Sequence, residues 1–240
     1  MEKTLIFIPC LNAEKTISQV IDKVKKLNFP NDILIIDNHS SDNTVNTITM
    51  KKQNEKLPNI TILVNSKNIG YGGSQIRALN YAIKNNYRYL IVVHSDDQYP
   101  AEYSPHLLDA IKKERSSMVV GCRLGHPTVK KNMPAWRYLG NSLLSAFNRW
   151  AYGLRLNEFY SEFRIYDVSF MKNIDFSRWA EGELFTMRSI IGILHVHGKI
   201  TDISIPCSYH KDAHHPPMFE LLLYVLFTFY RGLIYKLFRR

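Results

Sequence analysis

Cysteine is scarce in this sequence of 240 residues, which contains only Cys10, Cys122 and Cys207. Three dispersed cysteines argue against a disulfide framework, and the absence of a Cys-x-x-Cys pair argues against a structural zinc site. A reducing compartment is the simplest interpretation. The first residues also lack the longer apolar stretch and small-residue cleavage site of a signal peptide. Together these absences predict a cytoplasmic protein.

Long apolar runs, low-complexity segments and internal repeats are absent as well. The apolar stretch Leu221–Tyr230 has ten residues, whereas a helix needs about twenty to span a bilayer. The wider segment Phe219–Phe238 is rich in leucine and aromatic residues, and Arg231 and Lys236 interrupt it. This composition favours a helix lying in a membrane interface. Two alternatives remain open, namely packing on its own domain and a subunit interface in a homo-oligomer.

The formal net charge of +10 bears on partners rather than on fold. It is compatible with nucleic acid, an anionic membrane face or phosphorylated substrates. No helix-turn-helix, zinc-finger or RNA-binding signature is present, so we predict no nucleic-acid partner. We predict a main domain over residues 1–215 and a membrane-interfacial or oligomerisation helix over residues 216–240. The protein would then lie peripherally on the inner face of the cell membrane.

Short apolar runs alternate with segments of helical periodicity, which is typical of βαβ units and a mostly parallel sheet. The runs contain few polar residues, as expected for strands that are buried on both faces. Strands are predicted at Thr4–Pro9, Ile33–Asp37, Ile60–Val64, Tyr89–Val93 and Met118–Gly121. The sequence therefore predicts an open α/β domain in which helices flank the sheet.

Polar residues follow the carboxyl ends of four predicted strands, where ligands bind in such sheets. They are Pro9 and Asn12, Asp37 and Asn38, Asn68, and Asp96 to Gln98. Asp96, Asp97 and Gln98 offer hard oxygen ligands suited to Mg²⁺ or Mn²⁺, and we take them as catalytic candidates. The alternative is a solvated turn. Asp37 is a candidate for binding a nucleobase or ribose, whereas Asp42 suits a helix cap.

Other side chains have a plausible chemical role and an equally simple structural one. Arg123, Arg137 and Arg164 present forked donors that suit phosphate, although a single arginine usually forms a surface ion pair. Glu181 and Glu183 are candidate bases for a hydroxyl acceptor, or else acids at the start of a helix. The glycine-rich turn that contains Gly70 lacks the spacing of a phosphate-binding loop. His210 and His214 match no metal-site spacing and are candidates for contacts near the site.

Six short motifs occur in order between Thr4 and Tyr209. They are Pro9 with Asn12 and Glu14, Asp37–Thr44 (DNHSSDNT), Asn68–Gly70, Gly121–Arg123, Arg137 with Gly140 and Asn141, and Ser161–Tyr166 (SEFRIY). In these motifs the sequence resembles the family 2 glycosyltransferases, and within them the polyprenyl-phosphate sugar transferases of the dolichyl-phosphate mannosyltransferase type. No single motif is decisive, but six in order are specific.

The resemblance implies a GT-A type fold and the transfer of a sugar from a UDP- or GDP-linked donor, usually with inversion. The residues that it would assign to the donor are Pro9, Asn12, Glu14 and Asp37, with Asn68 and Gly70 in the family's turn. Asp96 and Gln98 would hold the metal ion, Mg²⁺ or Mn²⁺, and the donor diphosphate. The acceptor phosphate would be held by Arg123, Arg137, Ser161 and Arg164.

Four positions depart from the family pattern. His94 stands where the first acid of the family's Asp-x-Asp is expected, and it is a further candidate metal ligand because a neutral imidazole can bind a metal ion. Asn38 replaces the second acid of an Asp pair, Glu162 replaces a glycine, and Glu158 stands where Asp is usual.

We therefore predict a metal-dependent glycosyltransferase that acts on a polyprenyl phosphate, whose oxygen is already an anion and needs no general base. The main alternative is transfer to a glycan hydroxyl in polysaccharide or cell-envelope synthesis, with Glu181, Glu183 or Asp97 as base. More remote alternatives are a nucleotidyltransferase and a nucleotide-sugar binder that His94 has made inactive.

Overall fold

The computed structural model of the protein describes residues 2–129, 133–176, 184–206 and 218–238, with side chains from residue 222 onwards in the last segment. The first half of the chain alternates strictly between strands and helices. The elements are β1 (Thr4–Cys10), α1 (Ile17–Lys25), β2 (Asn31–Asp37), α2 (Thr44–Asn54), β3 (Ile60–Val64), α3 (Gly70–Lys84) and β4 (Tyr89–Val92). These bounds match the predicted strands to within two residues.

The second half is less regular, and two of its strands were not predicted. After a short 3₁₀ turn at Ala101–Tyr103 come α4 (Ser104–Glu114), β5 (Met118–Cys122), α5 (Ala135–Tyr152), β6 (Arg164–Asp167), α6 (Val168–Met171), α7 (Phe185–His195), β7 (Ile200–Ser204) and α8 (Met218–Phe238). The strands missed from sequence are β6 and β7. The predicted C-terminal helix is confirmed as α8. The predicted boundary at residues 215 and 216 lies outside the described residues.

The seven strands form one sheet in the order β3-β2-β1-β4-β6-β5-β7. β1 pairs in parallel with β2 and β4, β2 with β3, and β5 with β7. Only β6 is antiparallel to its neighbours, β4 and β5. The prediction of a mostly parallel sheet is thus confirmed. Because β6 runs backwards, its first residue, Arg164, lies at the edge where β4 and β5 end.

The sheet is buried on both faces because successive strand side chains point to opposite sides. Ile6 and Ile8 of β1 belong to a core cluster with the buried faces of α1, α2 and α4. Leu5 and Phe7 belong to the other cluster, which contains buried residues of α3, α5, α6 and α7. Each apolar run therefore supplies two cores at once.

Helix α8 packs on α5 at a close approach. A Cβ added at Gly232 would lie 2.6 Å from a ring atom of Phe147 and 3.2 Å from the Cβ of Ala151, so glycine admits the neighbouring helix. None of the helices described is both long enough and apolar enough to span a bilayer. Cys10 and Cys122 are buried free thiols, whereas Cys207 lies outside the described residues.

Candidate active site

The loop after β1 is hydrogen-bonded to the loop after β2. Asn12, which has a left-handed backbone (φ 52°), accepts a bond from the Ser41 N–H at 2.9 Å. Its own N–H donates to Ser40 Oγ at 2.9 Å, and Glu14 Oε2 accepts the N–H of Asn43 at 2.9 Å. The structure thus brings two residues of the predicted donor set, Asn12 and Glu14, to the end of β2.

Asp37 ends β2 and is fully buried. Its two carboxylate oxygens accept bonds from the Ser40 hydroxyl and from the Ser40 N–H, the latter at 3.0 Å. Pro9 lies on the adjacent strand β1, where it pairs with Ile36, the residue before Asp37. Asp42 accepts bonds from the Thr44 N–H and hydroxyl at the start of α2, as the capping interpretation predicts. Although burial opposes them, these hydrogen bonds lower the pKa of Asp42.

A group of asparagines fixes the turn between β3 and α3. Asn38 donates to Asn68 Oδ1 at 2.7 Å, and its own oxygen accepts bonds from Asn65 Nδ2 and from the Ile69 N–H. Asn68 Oδ1 also accepts the N–H of Gly70, which has a positive φ of 73°. Asn38, at the position of the family's second acid, therefore works as both donor and acceptor, which a carboxylate cannot do.

His94 follows β4 and lies among aromatic side chains. Its ring is 5.5 Å from that of Tyr71 and 5.1 Å, edge on, from that of Tyr99, measured between centroids. Its Nε2 is 3.3 Å from the Tyr71 hydroxyl. Burial lowers the pKa of His94, while Asp96 and Glu162 act in the opposite direction. The lowered pKa favours the neutral imidazole, which is the form that binds metal ions.

The three residues predicted to be catalytic differ in their surroundings. Asp96 Oδ1 accepts the Gln98 N–H at 3.1 Å, which tightens the turn after β4. Gln98 is buried, with 8% of its surface exposed. Asp97 has a left-handed backbone (φ 55°), and both of its oxygens bind Lys23 of α1, at 2.8 and 2.6 Å. Asp97 is therefore engaged with α1, and its catalytic role stays a prediction.

The residues after β4 suit a cation that is shared with a substrate. One carboxylate, one amide and one imidazole (Asp96, Gln98 and His94) are chemically suitable ligands for Mg²⁺ or Mn²⁺. Within the described ranges, no three His, Cys, Asp or Glu side chains are grouped to hold a metal ion by themselves. This fits the usual binding of Mg²⁺, which takes one or two carboxylates and completes its shell with substrate phosphates and water.

Arg123, predicted to bind the acceptor phosphate, forms a buried ion pair. Its Nε donates to Glu158 Oε1 at 2.9 Å, its Nη2 pairs with the same oxygen, and its backbone N–H donates to Oε2 at 2.7 Å. Arg123 is 5% exposed and Glu158 is fully buried. The Arg123 guanidinium also lies 5.5 Å from the centroid of the Tyr99 ring. The pair thus joins the loop after β5 to the aromatic surroundings of His94.

Arg164 is also buried, with 1% of its surface exposed. It donates to the carbonyl oxygens of Ser161, Phe159 and Thr186 at 2.7 to 2.9 Å, and to Ser189 Oγ at 3.0 Å. These bonds hold the chain before β6 against the start of α7. Contact between Arg164 and an acceptor phosphate remains a prediction, because it would require some of these bonds to be exchanged.

Ser161 and Arg137 complete the predicted acceptor set. Ser161 is fully buried, and its Oγ has no hydrogen-bond partner in the part of the chain that the structure describes. Arg137 is half-buried on α5, with its guanidinium 5.7 Å from the Trp136 ring centroid. The next residue, Tyr138, packs against the buried Val129 and Met133, as does Leu124, so the start of α5 shares a small apolar cluster with the loop that carries Arg123.

A family model for "Glycosyl transferase family 2" matches residues 5–171, which is more than half of the chain. The chain belongs to glycosyltransferase family 2. The matched region runs from the second residue of β1 to the end of α6. It therefore includes the loops that follow β1, β2, β3 and β4 at one edge of the sheet, and this edge is called the rim below.

Curated relatives of this family 2 enzyme include transferases named for lipid phosphates. It is 26% identical over 177 residues to the UDP-N-acetylglucosamine–dolichyl-phosphate N-acetylglucosaminyltransferase of Methanococcus voltae. That alignment covers 70% of each chain. It is 22% identical over 173 residues to the undecaprenyl-phosphate mannosyltransferase of Micrococcus luteus, covering 72% of this chain and 70% of that one.

Among solved structures, the fold is similar to glucosyl-3-phosphoglycerate synthase of Mycobacterium tuberculosis in complex with Mn²⁺, UDP and glucosyl-3-phosphoglycerate. The TM-score is 0.70 at 16% identity, covering 98% of this chain and 80% of that one. S. aureus TarS in complex with UDP gives a TM-score of 0.58 at 19% identity, covering 95% and 65%. At these identities the likeness establishes the GT-A type fold, and the Mn²⁺ and UDP belong to those complexes.

Several predicted residues of the family 2 site lie outside the described residues, namely Glu181, Glu183, His210 and His214. Conversely, four residues at the described site were not predicted from sequence: Lys23, Asn65, Tyr71 and Tyr99. Tyr71 follows Gly70 and Tyr99 follows Gln98. Their positions beside predicted site residues could therefore have identified both as members of the site. Lys23 and Asn65 carry no local signal, because their partners come from other elements.

Proposed function

We propose that the protein transfers a sugar, with inversion, from a UDP- or GDP-linked donor to a polyprenyl phosphate at the cytoplasmic face of the membrane. The observation that supports this most is the rim itself. In a family 2 chain, the hydrogen-bonded loops after β1 and β2 adjoin the end of β4, which carries His94, Asp96 and Gln98. This is the edge of an open α/β sheet where ligands bind.

In this proposal the loops after β1, β2 and β3 hold the nucleoside. Asn12, Glu14 and Asp37 are already fixed by hydrogen bonds, so they present a preformed surface rather than one that must be ordered at a cost. Asn68 and Gly70 shape the adjoining turn through the bond between the Asn68 oxygen and the Gly70 N–H. Pro9 of β1 completes the set at the base of the rim.

Asp96, Gln98 and His94 would hold the divalent cation. When bound, such an ion supplies charge stabilisation for the departing nucleoside diphosphate. The protein's own part is to fix these groups: Asp96 is tied to the Gln98 backbone, and Tyr71 and Tyr99 flank His94. Replacing the family's acid with a neutral imidazole removes one negative charge from the cation site.

Arg123, Arg137, Arg164 and Ser161 are the proposed acceptor set, and they divide into two kinds. Arg137 is half-exposed on α5 and is suited to contact a phosphate directly. The buried Arg123 and Arg164 keep the loops before β6 and after β5 in place. A phosphate acceptor attacks with an oxygen that is already anionic, so the chain needs no general base for it.

Two helices offer a surface for the membrane that carries such an acceptor. On α5, Trp136, Leu139, Leu143 and Trp150 are 52 to 64% exposed and recur at helical spacing. On α8, the exposed residues are Leu222, Leu223, Leu226, Phe229, Tyr230, Leu233, Leu237 and Phe238. Leucine and aromatic side chains with basic neighbours are typical of helices that lie in a membrane interface.

The experiment is donor turnover with Mn²⁺ or Mg²⁺, with and without a short polyprenyl phosphate, across UDP- and GDP-sugars. We expect the lipid phosphate to stimulate release of nucleoside diphosphate and a glycolipid to form. Asp96→Asn should lower kcat by about 100-fold or more, because it removes charge from the cation site. Asp109→Asn, an exposed change on α4, should leave it unchanged. Turnover that ignores lipid phosphate but responds to soluble glycans would refute the proposed acceptor.

A further inference from the structure

A recess lies between α7 and α8. Its volume is about 190 Å³, and it is lined by Arg188, Ile191, Gly192, His195, Phe227 and Arg231. The four residues from α7 recur at spacings of three and four, so they share one face of that helix. Phe227 and Arg231 are four residues apart on α8 and face them. The absence of a side chain at Gly192 leaves room between the two helices.

Two of the described residues that line the recess carry a positive charge. Arg188 and Arg231 line it from opposite helices, and His195 adds an imidazole ring, which carries a further N–H donor. The Arg188 guanidinium lies 5.4 Å from the centroid of the Phe227 ring, and this contact restricts its position. Two arginine forks that converge on a cavity of this size suit a phosphate group, which accepts paired hydrogen bonds from each.

The exposed apolar surface of α8 begins directly beside the recess. Leu223 lies four residues before Phe227 and Tyr230 three residues after it, so both are its neighbours on the helix. They are 46% and 64% exposed. A ligand bound here would thus meet cationic groups at one end and apolar side chains at the other.

We propose that this recess binds the phosphate headgroup of an anionic membrane lipid while the adjoining leucine and aromatic side chains enter the acyl region. The recess would give the membrane-facing helices a preference for anionic lipid and fix their rotation on the surface. The inference rests on the membrane contact proposed above, but it does not depend on the donor site or on sugar transfer.

The test measures binding of the full chain to vesicles of phosphatidylcholine, with and without phosphatidylglycerol. We expect the wild-type protein to bind the phosphatidylglycerol vesicles more tightly. Arg231→Gln should weaken that binding about tenfold, because a charge-assisted hydrogen bond is lost together with the charge. Lys236→Gln is the matched control: it removes one charge from the same helix, where Lys236 lies over the Trp150 ring of α5. It should cost at most about fivefold.

A second variant, Arg231→Lys, keeps the charge but removes the fork. A recess that recognises phosphate should lose severalfold affinity with this change, whereas diffuse attraction to the surface should lose none. Equal effects of Arg231→Gln and Lys236→Gln, or full binding by Arg231→Lys, would overturn the inference. Inorganic phosphate distinguishes the source of the ligand: thermal stabilisation by phosphate that Arg231→Gln abolishes, with no preference for phosphatidylglycerol, would mean a soluble phosphate and overturn the lipid assignment.

The two proposals fail separately. Vesicle binding that is sensitive to Arg231, in a protein that transfers no sugar to polyprenyl phosphate, would retain the recess and refute the acceptor. Sugar transfer to polyprenyl phosphate in detergent, with no preference for anionic vesicles, would retain the acceptor and refute the recess.

Discussion

The two sides of the sheet present opposite surfaces to their surroundings. On the side of α1 and α2, the outer face is charged and internally paired: Lys51 binds Asp22 and Glu55, and Lys25 binds Glu55. On the side of α5 and α8, the outer face carries exposed leucine, tryptophan and phenylalanine. The paired charges of the first side suit contact with water. The exposed apolar side chains of the second side are typical of a surface that contacts an apolar partner or medium.

The buried faces of the helices on the two sides differ as well. Beneath α1 the buried positions are all apolar, from Ile17 to Val24. Beneath α5 and α8 they include Ser145, Asn148 and Thr228, each with a polar side-chain atom that lacks a hydrogen-bond partner within the described segments. α5 and α8 are therefore more polar inside and more apolar outside than α1.

The largest effect that would sharpen this comparison comes from the buried ion pair of Arg123 and Glu158, whose carboxylate lies in the segment that joins α5 to β6. Glu158→Ala leaves Arg123 buried without its partner, and we expect the free energy of unfolding to fall by about 3–5 kcal/mol. Glu55→Ala on the first side breaks two ion pairs, with Lys25 and Lys51, but the carboxylate is exposed, so the change should scarcely affect stability. Chemical denaturation of both variants measures the difference. Similar small losses in both would remove the contrast between the two sides.

A smaller loss is expected where the first side meets the rim. Asn38→Ala removes the partner of the Ile69 N–H and of the Asn65 and Asn68 side chains. Losing these three bonds, and leaving the Ile69 N–H without its partner, should cost about 2 kcal/mol. Asn43→Ala is the matched control, because the Asn43 side chain does not cap α2. A thermal melt in which both variants match the wild type would show that the asparagine group does not stabilise the turn.

The smallest effect on stability should come from the outer faces themselves. Leu226→Ser on α8 and Met50→Ser on α2 change side chains that are 56% and 52% exposed. Each should shift the free energy of unfolding by less than about 0.5 kcal/mol. Only Leu226→Ser should weaken binding to lipid vesicles, because only that side is proposed to enter the bilayer. Equal vesicle binding by the two variants would contradict the comparison.

The sequence predicted the regular part of this fold and missed the part that depends on distant pairing. β1 to β5 were found because each is a run of branched and apolar residues between turns. β6 has four residues and begins with Arg164, so nothing local marks it as a central strand. The rim was predicted because parallel strands end at one edge. The pairing of Lys23 with Asp97 was not, because the two residues lie 74 positions apart and meet only once the sheet has formed.

The position of β6 between β4 and β5 limits the order in which the sheet can form during synthesis. A chain synthesised only as far as β5 already contains β3, β2, β1 and β4, which pair in consecutive βα units. It does not contain β6, the strand that separates β4 from β5. In such a chain the edge of β4 stays open, and β5 has neither of its two neighbours. We therefore expect the unit of β1 to β4 to assemble first, and the centre of the sheet to close only after residue 167 has emerged.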